Sequence, residues 1–270
     1  MSPWLESSGV ALLAAGGVLL GAWFSRLRKP YWLLGYFIPF IMIVLYAAAT
    51  RHPAFSFVPP ISWMMMGRNK FAIIGFIGSM VLTTPMLKLP NRRDRIAISL
   101  LMVCVVGVTS IWPFLAPAFN RNDLAKISTR IDSDGICLQS TAYTCGPASA
   151  VTALRKLGFT ADEGELAILA HTTSATGTPP DILAMELRKR YGSEGLVCDY
   201  RIFKGLEQLK ASGLTLALTK FNLVTDHYVT VLEVTDHEVI AGDPISGITK
   251  CSHDEFRAKW RYAGIVMKRK

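Results

Sequence analysis

Four stretches within the first 120 residues carry no charged side chain: residues 9–24, 31–50, 71–87 and 96–119. A helix needs ~20 apolar residues to cross a bilayer, within a range of ~17–25. The second and fourth stretches meet that length; the first and third are short. Four such runs with charges only between them are hard to bury in a small soluble core. Residues 1–120 therefore read as an all-α transmembrane domain with about four helices. The first run does not read as a cleavable signal. Its N-terminal side carries Glu6 and no Lys or Arg, and the positive cluster follows it.

The charge is split along the same line. Residues 1–120 hold 10 Lys and Arg against 2 Asp and Glu, whereas residues 121–270 hold 19 against 18. A basic excess confined to the apolar half reads as a topology signal, not as a nucleic-acid face, and no aromatic–basic interleaving accompanies it. Arg26, Arg28 and Lys29 lie in the first loop, and Lys88, Arg92, Arg93 and Arg95 in the third. These two loops are expected on the cytoplasmic side, which places everything after the fourth helix outside. Arg51, Arg68 and Lys70 in the middle loop run against that orientation. The same loop holds Pro53, Phe55, Phe57, Pro59, Pro60 and Ile61-Ser-Trp-Met-Met-Met. It reads as an apolar loop with Trp63 at headgroup level, or as an interfacial segment that guides a tethered substrate. Gly17-x-x-x-Gly21 permits close helix approach within the bundle. Pro85, Pro113 and Pro117 are expected to kink or end their helices.

Residues 121–133 form a polar connector, and the chemistry lies beyond it. In Gln139-Ser-Thr-Ala-Tyr-Thr-Cys145-Gly-Pro-Ala, Gly146 and Pro147 open an apolar helix that Gly158 stops. A thiol at a helix N-terminus lies in the positive end of the helix dipole, which favours the nucleophilic thiolate. Gln139, six residues upstream, is close enough for its amide and the Cys145 N–H to form an oxyanion hole. His227 opens a β-branched run, and Asp243 closes the next strand sixteen residues on. Adjacent antiparallel strands would let Asp243 orient a His227 base. Thr144, Gly146 and Tyr143 around the thiol, and Tyr228 beside the base, are candidate substrate-binding positions.

From about residue 134 to 270 the chain resembles the bacteriocin-processing, double-glycine-leader peptidases, a papain-like cysteine peptidase family. The residues that carry the resemblance are Gln139, the Thr144-Cys145-Gly146-Pro147 corner, His227-Tyr-Val and Asp243-Pro244. The resemblance implies a papain-like peptidase domain over residues 134–270, an α+β fold. It makes Cys145 the nucleophile, His227 the base, Asp243 the orienting group and Gln139 the oxyanion donor. It implies a peptide or protein substrate cleaved after small residues such as Gly-Gly, a bacterial inner or cell membrane as location, and no cofactor. Members of that family are often joined to an ABC transporter. Here there is no Gly-x4-Gly-Lys-Ser/Thr phosphate loop, so any exporter would be a separate partner.

The rest of the soluble half agrees with helices packed on an antiparallel sheet. Helices are expected over 160–170, 181–191 and 203–212, with Asp162, Glu163 and Glu165 in the first turn of the first of them. Strands are expected over 196–202, 214–221, 227–234, 239–243, 247–251 and 263–267. Ser252 is expected to cap a last helix through Trp260. Residues 171–180 read as a loop that rims the cleft. Of the other cysteines, Cys104 reads as an apolar filler in the fourth helix, and Cys137 as a buried core thiol or a redox partner of Cys145. Cys198 and Cys251 are open to a disulfide in an oxidising compartment. The Cys and His spacings fit no metal site. His171, His237 and His253 read as solvated, and Asp226 as a turn residue or a modulator of the base. Two alternatives use the same residues: acyl or amide transfer by the same thiol chemistry, and a non-catalytic peptide-binding or sensor module.

Overall fold

The computed structural model describes residues 3–51, 68–221 and 225–270. The apolar middle-loop segment with Pro53, Phe55, Phe57 and Trp63 lies outside the described residues. The chain divides into two compact units, residues 1–119 and 120–270.

Apolar helices dominate the first unit. Helix α1 is Pro3–Arg26; α2 is Leu34–Arg51, preceded by a short 3-10 turn; α3 is Asn69–Thr83. Helix α4, Arg92–Val106, continues through a wide turn at Gly107–Ile111 into α5, Trp112–Leu124. Pro85 follows the end of α3, whereas Pro113 and Pro117 are carried inside α5. The wide turn precedes Pro113, where the missing N–H leaves a carbonyl free to relax. Among the described residues, three helical segments, Pro3–Arg26, Tyr31–Ala48 and Arg92–Leu124, are long and apolar enough to cross a membrane. The 15-residue α3 is shorter. At ~1.5 Å rise per residue such a helix spans about 22 Å, against a hydrocarbon core of ~30 Å.

Gly17 and Gly21 face α3, and a Cβ at Gly17 would overlap Ser79 Oγ and the carbonyl oxygen of Phe76. Ser79 in turn donates its hydroxyl to the Ala14 carbonyl at 2.8 Å. The glycine pair thus serves packing within the bundle. Glu6 does more than break a signal pattern, because its carboxylate accepts a hydrogen bond from buried Arg68 at 2.6 Å. The Arg68 guanidinium also lies 5.0 Å from the centre of the Phe114 ring.

The second unit is built on a six-stranded antiparallel sheet. Its strands are β3 (Leu196–Ile202), β4 (Thr215–Lys220), β5 (Asp226–Val234), β6 (Glu238–Asp243), β7 (Gly247–Ser252) and β8 (Trp260–Arg269). Their order is β3-β8-β4-β5-β6-β7. A two-stranded ribbon, β1 (Arg130–Ile131) with β2 (Cys137–Leu138), precedes it and is too short to show a period of its own. The helices are α6 (Cys145–Lys156), α7 (Glu163–Leu169), α8 (Pro180–Tyr191), α9 (Leu206–Ser212) and α10 (His253–Lys259). Local chemistry sets their ends. Gly158 adopts φ +80° after α6, Asp162 accepts the Glu165 N–H ahead of α7, and Ser252 with Glu255 closes a capping box on α10.

Alternation along β5 divides the core. Val229 and Val231 join Phe203, Leu209, Phe256 and Trp260 in one cluster. Tyr228 and Thr230 turn the other way, toward α6, where Ala148, Val151 and Leu154 are fully buried. The sheet order also removes the disulfide option. Cys198 is on β3 and Cys251 on β7, the two outer strands, and strands lie ~4.8 Å apart where bonded Cα atoms need less than ~7 Å. All five cysteines are free thiols.

Candidate active site

Cys145 is the first residue of α6 and is 7% exposed. The first N–H groups of a helix have no intrahelical acceptor, and Cys145 contributes one of them. One turn on, Ser149 anchors the helix to β5. Its hydroxyl donates to the Tyr228 carbonyl at 3.1 Å, and Thr230 donates its hydroxyl to the Ser149 carbonyl at 2.9 Å. Both contacts are buried and both flank the start of β5, where His227 stands.

The β5–β6 register brings His227 and Asp243 together. Thr230 pairs with Gly242 and Val231 with Ala241, which puts Asp243 two residues from the position directly across from His227. Such a diagonal pair lies on one face within side-chain reach. His227 Nε2 lies 2.9 Å from Asp243 Oδ1. The Cys145 side chain acts on the same imidazole and favours its charged form. Burial of His227 works against its charged form. Hydrogen bonds to Asp243 and Cys145, with the negative charge of each, outweigh that and raise the imidazole to about 9. Burial likewise works against the charged form of Asp243. The His227 bond and the backbone N–H groups of Ile245 and Ser246 hold its carboxyl below the usual range.

Gln139 reaches the same place from the ribbon. Its N–H donates to the Pro244 carbonyl at 2.8 Å, next to Asp243, and its carbonyl accepts from Arg130 Nη2 at 3.0 Å. Its side-chain oxygen Oε1 is buried and accepts no hydrogen bond from the described residues. The four residues expected to work together therefore sit at the ends of α6, β2, β5 and β6.

The four expected substrate-binding positions differ. Tyr143 is half-buried and open to the surface. Thr144 is fully buried, and its hydroxyl accepts the Thr141 N–H at 3.1 Å, so it shapes the corner. Tyr228 is 3% exposed, burial pushes its hydroxyl well above the usual range, and it donates to the Thr178 carbonyl at 2.9 Å. It braces a loop where contact with substrate was expected. Gly146 is buried against the same loop, and a Cβ there would come within 2.8 Å of Thr178 Cβ. The 171–179 loop is thus tied under the thiol helix by Thr178, Tyr228 and a Thr172–Thr178 hydroxyl contact of 2.9 Å.

Three further expectations are corrected or sharpened. Asp226 pairs with Arg261 at 2.7 Å and is not a free turn residue. His253 is half-buried with its ring nitrogen 3.0 Å from the Thr235 carbonyl, so it is not simply solvated. Cys137 is fully buried, and burial first, then the nearby Glu163 carboxylate, pushes its thiol up to about 12, the state of an inert core thiol. Sequence reasoning missed Ser149, Thr230 and Thr178, whose polar side chains in apolar runs were the available signal. It also treated Glu163 only as a first-turn acid.

A thiol on a helix N-terminus facing an imidazole–carboxylate pair on an antiparallel sheet defines a papain-like cysteine peptidase arrangement. The chain belongs to the Peptidase C39 family, whose model matches residues 134–270. An uncharacterized protein of Methanothermobacter marburgensis is 31% identical over 121 residues, covering 45% of this chain and 79% of that protein. One from Methanothermobacter thermautotrophicus is 29% identical over the same length and shares. Among solved structures, a double glycine motif protease from an AMS/PCAT transporter, in complex with the leader peptide, is 17% identical with a TM-score of 0.43. That match covers 54% of this chain and 96% of that one. The peptidase domain of Streptococcus ComA, a bi-functional ABC transporter involved in a quorum sensing pathway, is 19% identical with a TM-score of 0.43, covering 49% and 96%.

Proposed function

We propose that this chain is a membrane-anchored cysteine endopeptidase that removes a leader or propeptide from a peptide substrate. The observation that carries the reading is the 2.9 Å His227–Asp243 contact, on a ring whose charged form the Cys145 side chain at the start of α6 also favours. Cys145 Sγ gives its proton to His227 and attacks the scissile carbonyl carbon. The resulting oxyanion is held by the Cys145 N–H and the Gln139 side-chain amide. The C–N bond then breaks, and His227 returns the proton to the leaving amine. Water attacks the thioester, with His227 taking its proton, and the new carboxyl end and the free thiol are released.

The preference for a small residue such as Gly before the bond rests on family membership. The apolar helices hold the peptidase at a bilayer, where a tethered site suits a secreted or membrane-bound substrate. The loop charges support an extracytoplasmic domain, with a separate exporter as partner if the domain faces the cytoplasm instead.

Purified protein is expected to cleave a peptide after Gly-Gly, and Cys145→Ala to abolish that cleavage. Unchanged cleavage by the variant would sink the reading. Sidedness is tested by a membrane-impermeant thiol reagent on intact cells, with Cys145→Ala as control. Labelling of Cys145 places the peptidase outside, and protection until lysis places it in the cytoplasm.

A further inference from the structure

The peptidase reading above leaves one buried acid without a task. Glu163 is fully buried at the start of α7, yet both its carboxylate oxygens are spent on one residue, Ser140. The Ser140 N–H donates to Oε1 at 2.8 Å, and the Ser140 hydroxyl donates to Oε2 at 2.7 Å. The Ser128 carbonyl lies 3.1 Å from the same hydroxyl. Ser140 is the residue after Gln139. Burying a carboxylate is costly unless its oxygens are satisfied, and a neutral pair would close the same space at less cost. A two-point clamp on backbone and side chain does something a packed apolar pair cannot, because it fixes the rotation of the chain at that residue.

The clamp is itself anchored. The Glu163 N–H donates to Thr129 Oγ1 at 2.8 Å, and that hydroxyl donates to Asp162 at 2.7 Å. Thr129 is followed by Arg130, which holds the Gln139 carbonyl. The Gln139 N–H is held from the other side by Pro244, beside Asp243. The Gln139 N–H, the Gln139 carbonyl and the Ser140 N–H are therefore all tied, while the buried Gln139 side-chain oxygen accepts no bond from the described residues. The fold spends effort on where this amide stands and makes no use of its oxygen.

We propose that Glu163 is a positioning residue for the oxyanion donor Gln139, acting through Ser140. The inference rests on the peptidase reading. Its loss leaves the thiol and imidazole in place and moves only the amide that meets the oxyanion.

Cleavage of a Gly-Gly peptide is measured for the full chain and for Glu163→Gln, whose amide accepts one bond where the carboxylate accepts two. kcat is expected to fall ~10- to 100-fold with KM little changed, the scale of a displaced oxyanion donor. In a Gln139→Ala background the same Glu163→Gln change is expected to have almost no further effect. Alkylation of Cys145 by iodoacetamide, a displacement that forms no oxyanion, is expected to proceed at the wild-type rate. Ser140→Ala removes only the hydroxyl bond, so it should show a smaller kcat loss with the same dependence on Gln139. An undiminished Glu163 effect in the Gln139→Ala background, or parallel loss of alkylation, would make Glu163 merely structural and overturn the proposal. Wild-type kcat in Glu163→Gln would overturn it alone, whereas no cleavage by the wild-type chain would overturn the peptidase reading and this inference with it.

Discussion

Thr230 donates its hydroxyl to the backbone carbonyl of Ser149 over 2.9 Å, so the sheet that carries His227 grips the helix that carries Cys145 one turn after that thiol. Both residues are fully buried. Thr230→Val keeps the shape and removes the donor. Loss of one buried hydrogen bond costs roughly 1–2 kcal/mol, and the Ser149 carbonyl loses its cross-element partner. Denaturant unfolding of the 120–270 unit's signal is expected to show that loss, with a larger fractional fall in kcat than in KM. An unchanged midpoint would mean the contact does not hold the seam.

Gly146 leaves no room for a side chain, since a Cβ would meet Thr178 Cβ at 2.8 Å. Gly146→Ala is expected to push the 171–179 loop off the thiol helix and to destabilise by about 1–3 kcal/mol, as overpacking does. Replacing Thr178 by Gly, which removes that Cβ, is expected to restore part of the stability in the same chain. No rescue would show that the glycine serves something other than this contact.

The raised pKa of His227 has a definite sign. Its folded value is about 9, above the ~6.5 of an unfolded histidine. Its stability contribution is therefore fully present below ~6.5 and is lost as the pH rises through about 9. The basic limb of the kcat/KM profile is expected in the same region, because the imidazole must carry a proton for the leaving amine. Asp243→Asn removes one of the stabilising charges. The limb should move to lower pH, and the loss of stability on raising the pH should begin earlier. A basic limb that stays put in Asp243→Asn would disconnect the carboxylate from the base.

In the unit of apolar helices the test is a glycine. A Cβ at Gly17 would overlap Ser79 Oγ and the Phe76 carbonyl, and the backbone atom cannot swing away. Gly17→Leu is expected to separate α1 from α3. Paired cysteines introduced at Ala14 and Ser79, which are in hydrogen-bond contact, should then cross-link less efficiently in detergent. Equal cross-linking would show that the close approach is dispensable.

Cys198 and Cys251 stand on opposite outer strands of one sheet. Mild oxidation of the folded protein followed by mass spectrometry is expected to find no Cys198–Cys251 disulfide. Finding that pair would require a different strand order.

The sequence by itself determined whatever depends on near neighbours along the chain. Apolar runs without charge marked the long apolar helices, although the third proved shorter than its run because the helix stops before Pro85. Gly158 and Ser252 marked helix ends, where a cap needs only its own turn, whereas Asp162, expected inside the first turn of a helix from residue 160, is the N-cap of one that starts at Glu163. Alternating β-branched residues marked five of the six sheet strands closely, and the last one was seen but drawn too short. The residues Gln139, Cys145, His227 and Asp243 were legible as types in a known order. Tertiary structure decided what those types touch. A strand register placed Asp243 on the diagonal from His227, and a sheet order put Cys198 and Cys251 far apart. A loop returning under α6 buried Tyr228 and took its hydroxyl bond. Glu163 shows the reason most clearly. An acid is favoured in the first turn of a helix whether it faces water or a buried serine, so local pattern cannot separate the two. The partner that gives it a role lies 23 residues away, brought there only by the fold.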